Sequence, residues 1–473
     1  MKNQPQKPRI RTLCSLAALF CTTSPIFAQE CDAYQTSHLT PSELFFGPSY
    51  GSSVSMSGDT AIVGHRSDPI HGSFTGSVFI FKNIDGEWIE ESKLLAPDGA
   101  QGDNFGSSIS IDNDTIAIGA FSDDDNGQNT GSVYIYARDK QRADSWSLQT
   151  KLTLPDAIDL AHFGRTVVLD DDTLIVKSDG EANASAFVHV YTRTNGLWTQ
   201  QTTLQLPDES TEKFSDGISI HAGTIAIRAR PKDSQSPDSR SIYVYIRNEG
   251  VWALQARIEP SDTISNGIDR NGIRIHADTI VMGSSSDDDN ASQNGAAYIF
   301  TRSNGEWTQH SKIFADDEPG HNTRFGSSVA IEGDIIAIGS GAPNEQQQND
   351  GSLYIYKRKQ STWEPQQRIV RAWRQSATGF GKTIEISGDQ IIAGAHGFDY
   401  DEDRVSNTAY IFDICTPICR ADIIPDGAFD FFDVSFFLIA FNNQDPTADF
   451  NDDGLFNFFD ISTFLQAFAD GCP

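Results

Sequence analysis

Short runs of alternating apolar and polar residues recur along most of this chain, paired two by two around a tight turn. In the first pair Val54 and Met56 precede the turn Gly58-Asp59, and Ala61 and Val63 follow it. That period of two on both sides of a Gly-Asp or Asn-Asp step predicts a β-hairpin. The phrase returns as Gly51-SSVSMSGDTAIVG, Phe105-GSSISIDNDTIAIG, Phe163-GRTVVLDDDTLIV, Phe214-SDGISIHAGTIAI, Asn271-GIRIHADTIVMG, Phe325-GSSVAIEGDIIAIG and Phe380-GKTIEISGDQIIAG, seven copies in all. A third run follows each hairpin, as in Ser132-VYIY or Ser352-LYIY, and a fourth opens on a tryptophan, as in Trp198-TQQTTL or Trp307-TQHSKI. The tryptophans stand at 88, 146, 198, 252, 307 and 363, at intervals of 58, 52, 54, 55 and 56. Four short strands in a unit of about 55 residues describe one propeller blade, and seven units predict an all-β, seven-bladed β-propeller.

The seventh copy ends at Ala409-YIFDI with no tryptophan-led fourth strand. Near the other end, Tyr34-QTSHLTP reads like Trp146-SLQTKLTLP, with Tyr34 in the tryptophan's place. The expectation is a ring closed by a strand borrowed from the N-terminus, which leaves no sheet edge open. The propeller then spans residues 29–415.

The phrases Phe105-Gly106 and Phe325-Gly326, with Gly119-Ala120-Phe121 standing for a glycine-alanine-proline step, resemble the bacterial FG-GAP repeat family. The resemblance covers about four fifths of the chain. It implies a propeller related to the integrin α-subunit head, and with it adhesion or ligand binding rather than catalysis. Integrin-type blades carry an acidic calcium loop between the first two strands. Here that position is a tight turn such as Gly58-Asp59 or Gly333-Asp334, so propeller calcium is not carried over.

From Asp422 the composition changes. Asp422-IIPDGAFDFFDVSFFLIAF and Asp449-FNDDGLFNFFDISTFLQAF repeat at an interval of 27 residues. Helix-flanked calcium loops take oxygen from positions 1, 3, 5, 7, 9 and 12, the seventh through its backbone carbonyl, with glycine at 6. The second segment supplies Asp449, Asn451, Asp453, Leu455, Asn457 and Asp460 around Gly454. The first supplies Asp422, Asp426, Ala428, Asp430 and Asp433 around Gly427, but has Ile424 at position 3. Apolar helical patterns follow at Val434–Phe441 and Ile461–Phe468. Loop and helix, twice over, resemble a dockerin module, which implies bound Ca2+ and an anchoring partner for residues 416–473. Dockerins present a polar pair to cohesin; here those positions hold Phe431-Phe432 and Phe458-Phe459, expected to fill the module's own core or to form an apolar docking patch.

Lys2, Lys7, Arg9 and Arg11, an apolar stretch from Leu13 to Phe20, and Ala28 before Gln29 have the pattern of a cleaved signal peptide, residues 1–28. The expected destination is extracellular or the cell envelope, with no membrane span after cleavage. Four cysteines lie beyond it. Aligning the seventh blade on the Ser303-Asn304 and Gln360-Ser361 turns sets Cys31 opposite Cys415, leaving Cys419 for Cys472. The net charge of −30 argues against a nucleic-acid partner.

Acidic loops Ser122-DDDN and Ser286-DDDN follow second strands, on the side expected to carry Asp98, Asp103, Asp316, Asp317, Asp399 and Asp401 as well. They read as a solvated rim, with a cation site the sharper alternative. Gly47-PSYG matches a serine-hydrolase elbow, but at a blade entry rather than a strand-to-helix turn. The tryptophans read as packing residues rather than sugar platforms. Taken together, the sequence predicts an exported, non-catalytic protein that presents a propeller face to a protein or glycan and an anchor to an envelope or cohesin-like partner. The rivals are a polysaccharide-active enzyme, recognisable by paired carboxylates or a histidine-centred site in the central channel, and a purely structural envelope component.

Overall fold

The computed structural model describes residues 34–42, 49–139, 145–156, 158–180, 185–207, 210–232, 241–262, 272–289, 294–315, 323–340, 351–370, 379–396, 408–414, 431–444, 448, 450 and 455–470. They form seven four-stranded antiparallel sheets, the blades, and two helices. In the second blade the order from the inside outward is Phe105–Asp112, Thr115–Ala120, Ser132–Arg138 and Trp146–Leu152. The expected closure is present. Strand Tyr34–Leu39 pairs with Thr408–Asp413 as the outer strand of the seventh blade, with Tyr34 opposite Asp413 and Leu39 opposite Ala409.

Both faces of each sheet are covered by neighbours, so the core lies between blades rather than within them. Ile62, Val78 and Ile80 of the first blade pack against Phe105, Ile116, Ile118 and Tyr134 of the second. Ile392, Ala409 and Ile411 of the last blade pack in the same way against Tyr50, Val54, Val63 and Phe79 of the first. The phenylalanine of the repeated phrase is the centre of this packing. Phe105, Phe163, Phe325 and Phe380 are fully buried. Phe105, Phe325 and Phe380 each meet a third-strand tyrosine edge to face, at 5.3, 5.0 and 5.7 Å between centroids. Burying each such ring contributes about 2 to 3 kcal/mol.

The glycines of the phrase work across the same seams. A Cβ on Gly119 would lie 2.0 Å from the Gly164 carbonyl oxygen of the next blade, and one on Gly283 would lie 2.0 Å from that of Gly326. Only glycine permits this approach.

The two ends of the ring differ. First and second strands are joined by two-residue turns in every blade, such as Gly58-Asp59 and Asn113-Asp114. Third and fourth strands are joined at the same end, again by two residues in blades such as the third, where Asn195 (φ 52°) and Gly196 (φ 81°) adopt the hairpin geometry that such turns require. The connections from second to third strand and from blade to blade open at the other end and are longer, such as 66–76, 121–131 and 153–166. A hairpin face and a loop face result.

The C-terminal helices are α1 (Phe431–Asn443) and α2 (Phe458–Asp470). Phe437 stacks on Phe464 at 4.0 Å with an interplanar angle of 3°, and Phe450 meets both rings edge-on. None of the described helices is long and apolar enough to cross a membrane.

Candidate binding face and axial channel

The inner strands explain the serines of the repeat. Ser53, Ser328 and Thr383 donate to the carbonyls of Gly106, Gly381 and Gly51 in the following blade, at 2.7, 2.6 and 3.0 Å. Two residues further along each strand, Ser55, Ser110 and Ser219 accept from the amides of Ile111, Leu169 and Ile275. At the hairpin end Asp112, His221 Nδ1, Glu332 and Ser387 accept from Asp171, Ala277, Gly388 and Gly58. The polar half of the alternation therefore joins neighbouring blades.

These strands enclose an axial cavity of about 340 Å³, lined along its length by all seven blades. Most of its walls are hydroxyl and aliphatic, but Arg274 of the fifth blade and Glu385 of the seventh stand where Ser55 and Ser110 stand in the first two. Burial pushes the Glu385 carboxyl up to about 7, against the pull of Arg274 and of hydrogen bonds from Ser55 and the Met56 amide. Burial also raises Glu332 and Asp170. His276 is lowered by burial and by His221, whose ring lies 4.2 Å away. Sequence reading did not find this group, because each member looks like an ordinary polar position of an alternating strand.

A carboxyl raised from an ordinary value near 4.5 to about 7 keeps its proton in the folded state where the unfolded chain has released it. Its contribution to stability is therefore lost as pH rises through that window. Relative to Glu385→Gln, the native chain is expected to lose about 3 kcal/mol between about pH 4.5 and about pH 8. Denaturant midpoints of the two proteins at both pH values measure this; a constant difference between them would contradict it.

On the loop face the two predicted acidic loops prove to be occupied by the protein's own lysines. Lys151 Nζ lies 2.8 Å from Asp98, 2.9 Å from Asp123 and 2.5 Å from Asp125, and 5.0 Å from the centre of the Tyr134 ring. Lys312 Nζ repeats the arrangement with Asp262, Asp287 and Asp289 at 2.7, 2.9 and 2.6 Å, over Tyr298. The first blade has a simpler form, with Lys93 2.9 Å from Asp68 and over Phe79. Burial acts against both Lys151 and Lys312, yet bonds from their carboxylates hold them well above the ordinary lysine value. Asp103, by contrast, is pushed up to about 6 by burial and by its acidic neighbours Asp123, Asp124 and Asp125. In each loop a single lysine thus ties together three carboxylates and offsets part of their charge, so the predicted acidic rim is an organised cluster that stays net acidic. Asp316, Asp317, Asp399 and Asp401 lie outside the described residues.

The tryptophans pack, as the sequence predicts, and have a recurring partner that it did not reveal. Arg138, Arg193, Arg302 and Arg358 from third strands lie over Trp146, Trp198, Trp307 and Trp363, 4.5 to 5.1 Å from the ring centres. The indole N–H of Trp198, Trp252 and Trp307 donates to Gln149, Gln201 and Gln255 of the preceding blade. Ser49, from the elbow-like pattern, bonds to Ser67.

Of the predicted calcium ligands, Leu455, Asn457, Asp460 and Asp433 are described. Asp422, Asp426, Ala428, Asp430, Asp449, Asn451 and Asp453 lie outside the described residues, as do Cys31, Cys415, Cys419 and Cys472 and the leader at 1–28. Asp433 and Asp460 are buried in the first turns of α1 and α2. Asn457 Oδ1 accepts from the Phe459 amide while Asp460 accepts from the Asn457 amide at 2.8 Å, a reciprocal helix cap. Phe458 and Phe459 do not form the module's core. They are 74 % and 66 % exposed, since the cap turns them outward and Phe437, Phe450 and Phe464 fill the interior.

Residues 34–81, 88–136, 252–300 and 307–356 match the FG-GAP repeat. Each match runs from an outer strand through the first three strands of the next blade, so the sequence unit straddles a seam. The third, fourth and seventh blades are unmatched; in the third and fourth Lys177 and Arg228 replace the second-strand glycine, which the seventh keeps as Gly394. No curated protein matches the chain. Among solved structures, a protein from Lactobacillus plantarum is 12% identical over 67% of this chain and 84% of its own, with a TM-score of 0.40. A Bacteroides uniformis protein described as "a putative 6-phosphogluconolactonase" is 12% identical over 71% and 88%, with a TM-score of 0.45. Seven interlocked blades, the phenylalanine and glycines at their seams and the four matched segments make this chain a seven-bladed β-propeller carrying FG-GAP repeats.

Proposed function

We propose that this is a non-catalytic recognition protein of the cell exterior, whose loop face binds a protein or glycan and whose C-terminal helix pair is a dockerin-like, calcium-dependent anchor. The asymmetry of the ring carries the reading. Two-residue turns make up the hairpin face apart from the 139–145 connection of the second blade, and the longer connections gather at the other end, where a rigid scaffold can hold them for recognition. The acidic groups described there are largely engaged with lysines, which leaves them as structural supports rather than acids or nucleophiles. For the anchor, the support is the second segment's ligand pattern together with buried Asp433 and Asp460 at the helix starts.

The test uses the full-length chain immobilised against envelope extract and envelope polysaccharides, with calcium or with chelator. Partners of the loop face should be retained in both conditions. Partners of the anchor should be lost with chelator, along with part of the helical circular dichroism, and Asp453→Ala should reproduce that loss in the presence of calcium. Helicity indifferent to chelator removes the calcium assignment. Protein-dependent release of reducing sugar ends removes the non-catalytic one.

A further inference from the structure

Once Glu385 releases its proton, above about pH 7, the axial cavity holds two opposite charges apart. Arg274 Nη1 donates to the Ile273 carbonyl at 3.0 Å, on its own wall. Glu385, two blades further round the ring, is bonded by Ser55 and the Met56 amide on the wall it faces. The two feel each other's charge, but among the described residues no ion pair joins them. Between them, on the inner strand of the sixth blade, stands Ala330, one of the smallest side chains at this level of the channel. The remaining wall at that level is Ser55, Ser110 and Ser219, with Val168 the apolar member.

Two charges withdrawn from bulk water and left separate are costly unless something between them compensates both. One molecule carrying an anion at one end and a cation at the other does so in a single binding event. The cavity, at about 340 Å³, lies at the small end of ligand pockets, and its lining reaches Arg165 and Asp216 toward the loop face. We infer that the channel is a binding site for a small zwitterion of the amino-acid class, its carboxylate at Arg274, its ammonium at Glu385 and its body against Ala330. This site is separate from whatever the loop face binds, and neither reading depends on the other.

Calorimetry and thermal shift on the full chain with glycine, β-alanine and γ-aminobutyrate test the site, since the series lengthens the separation between the charges. Acetate and methylammonium serve as single-charge controls. One member of the series should bind saturably and raise the melting temperature, with each control at least about tenfold weaker. Arg274→Gln and Glu385→Gln should each weaken that member about tenfold. Ala330→Leu leaves both charges and adds bulk at this level, so it should abolish binding; because Ala330 also packs in the seam between the sixth and seventh blades, denaturant unfolding of the variant separates loss of the site from loss of the fold. If no zwitterion binds, if the controls bind as well as the zwitterions, or if Ala330→Leu binds undiminished, the assignment is wrong.

Discussion

Gly119→Ala is expected to destabilise the propeller by about 4 kcal/mol or more, a severe effect for one added methyl group. The new Cβ would lie 2.0 Å from the Gly164 oxygen and 3.0 Å from its carbon, both backbone atoms of the next inner strand. No side chain there can swing aside, so the seam must open, and the Phe163 packing beside it opens too. The same contact recurs at Gly339 against Gly381, 1.9 Å, and at Gly394 against Gly51, 2.2 Å, which closes the ring. Gly58→Ala is the control. It has a positive φ of 56° but nothing within 4 Å, so it should cost only about 1 kcal/mol. Denaturant midpoints decide between them, and equal losses in the two variants would mean that the seam is not the close-packed element described.

The third and fourth blades meet that constraint differently. Lys177 and Arg228 occupy the glycine's place. Opposite Lys177 the next inner strand keeps the length of the phrase, Phe214 to Ile218 as Phe105 to Ile109, but Ser215 and Asp216 stand where the second blade has Gly106 and Ser107. There Asp216 receives the lysine at 3.0 Å. A repeat can thus lose its glycine where the neighbouring strand changes with it, and both blades that do so fall outside the FG-GAP matches, as does the seventh, which keeps Gly394.

This sets what was legible in the sequence. Blade count, strand order and closing strand could be read because turns, seam glycines and buried phenylalanines impose local demands that must recur in each unit. The alternation of Ser53, Ser55 and Ser57 announced a strand but not its surroundings, since a hydroxyl facing water and one bonded to the next blade look alike in a sequence. Arg274 and Glu385 face one channel only because the ring closes. Their own phrases, NGIRIH and FGKTIEIS, are ordinary copies of the repeat. The lysine clusters were hidden by distance, with Lys151 lying 26 positions from Asp125 and 53 from Asp98. In the C-terminal pair the ligand pattern named Asn457 and Asp460, but the same two side chains also cap α2, so the pattern answered to two physical demands at once.

Lys312→Met is expected to reverse the local response to pH as well as to cost stability. The methionine keeps the apolar stem over Tyr298 and Phe314 and removes only the ammonium. Left behind are Asp262, Asp287 and Asp289, with ligand atoms all within 4.8 Å of one another and Asp287 only 3% exposed. Two such charges repel by about 3 kcal/mol at an effective dielectric constant of about 20, and exposure of Asp262 and Asp289 softens this, so the net loss near neutral pH should be about 3 kcal/mol. In the native chain Asp262 is buried enough to be raised, but the Lys312 bond outweighs that and holds it below its ordinary value. A depressed carboxyl contributes stability that is lost as pH falls through its folded value. In the variant the Lys312 bond to Asp262 is gone and burial raises that carboxyl instead, so the folded state takes up a proton before the unfolded chain does, and stability is regained as pH falls. Native and variant curves should therefore converge from about pH 7 toward about pH 4. Adding Asp287→Asn to Lys312→Met should restore part of the loss, because it removes the most buried of the unpaired charges. A pH-independent gap between native and variant, or a double variant less stable than Lys312→Met alone, would mean that Lys312 supports the loop through its stem rather than its charge.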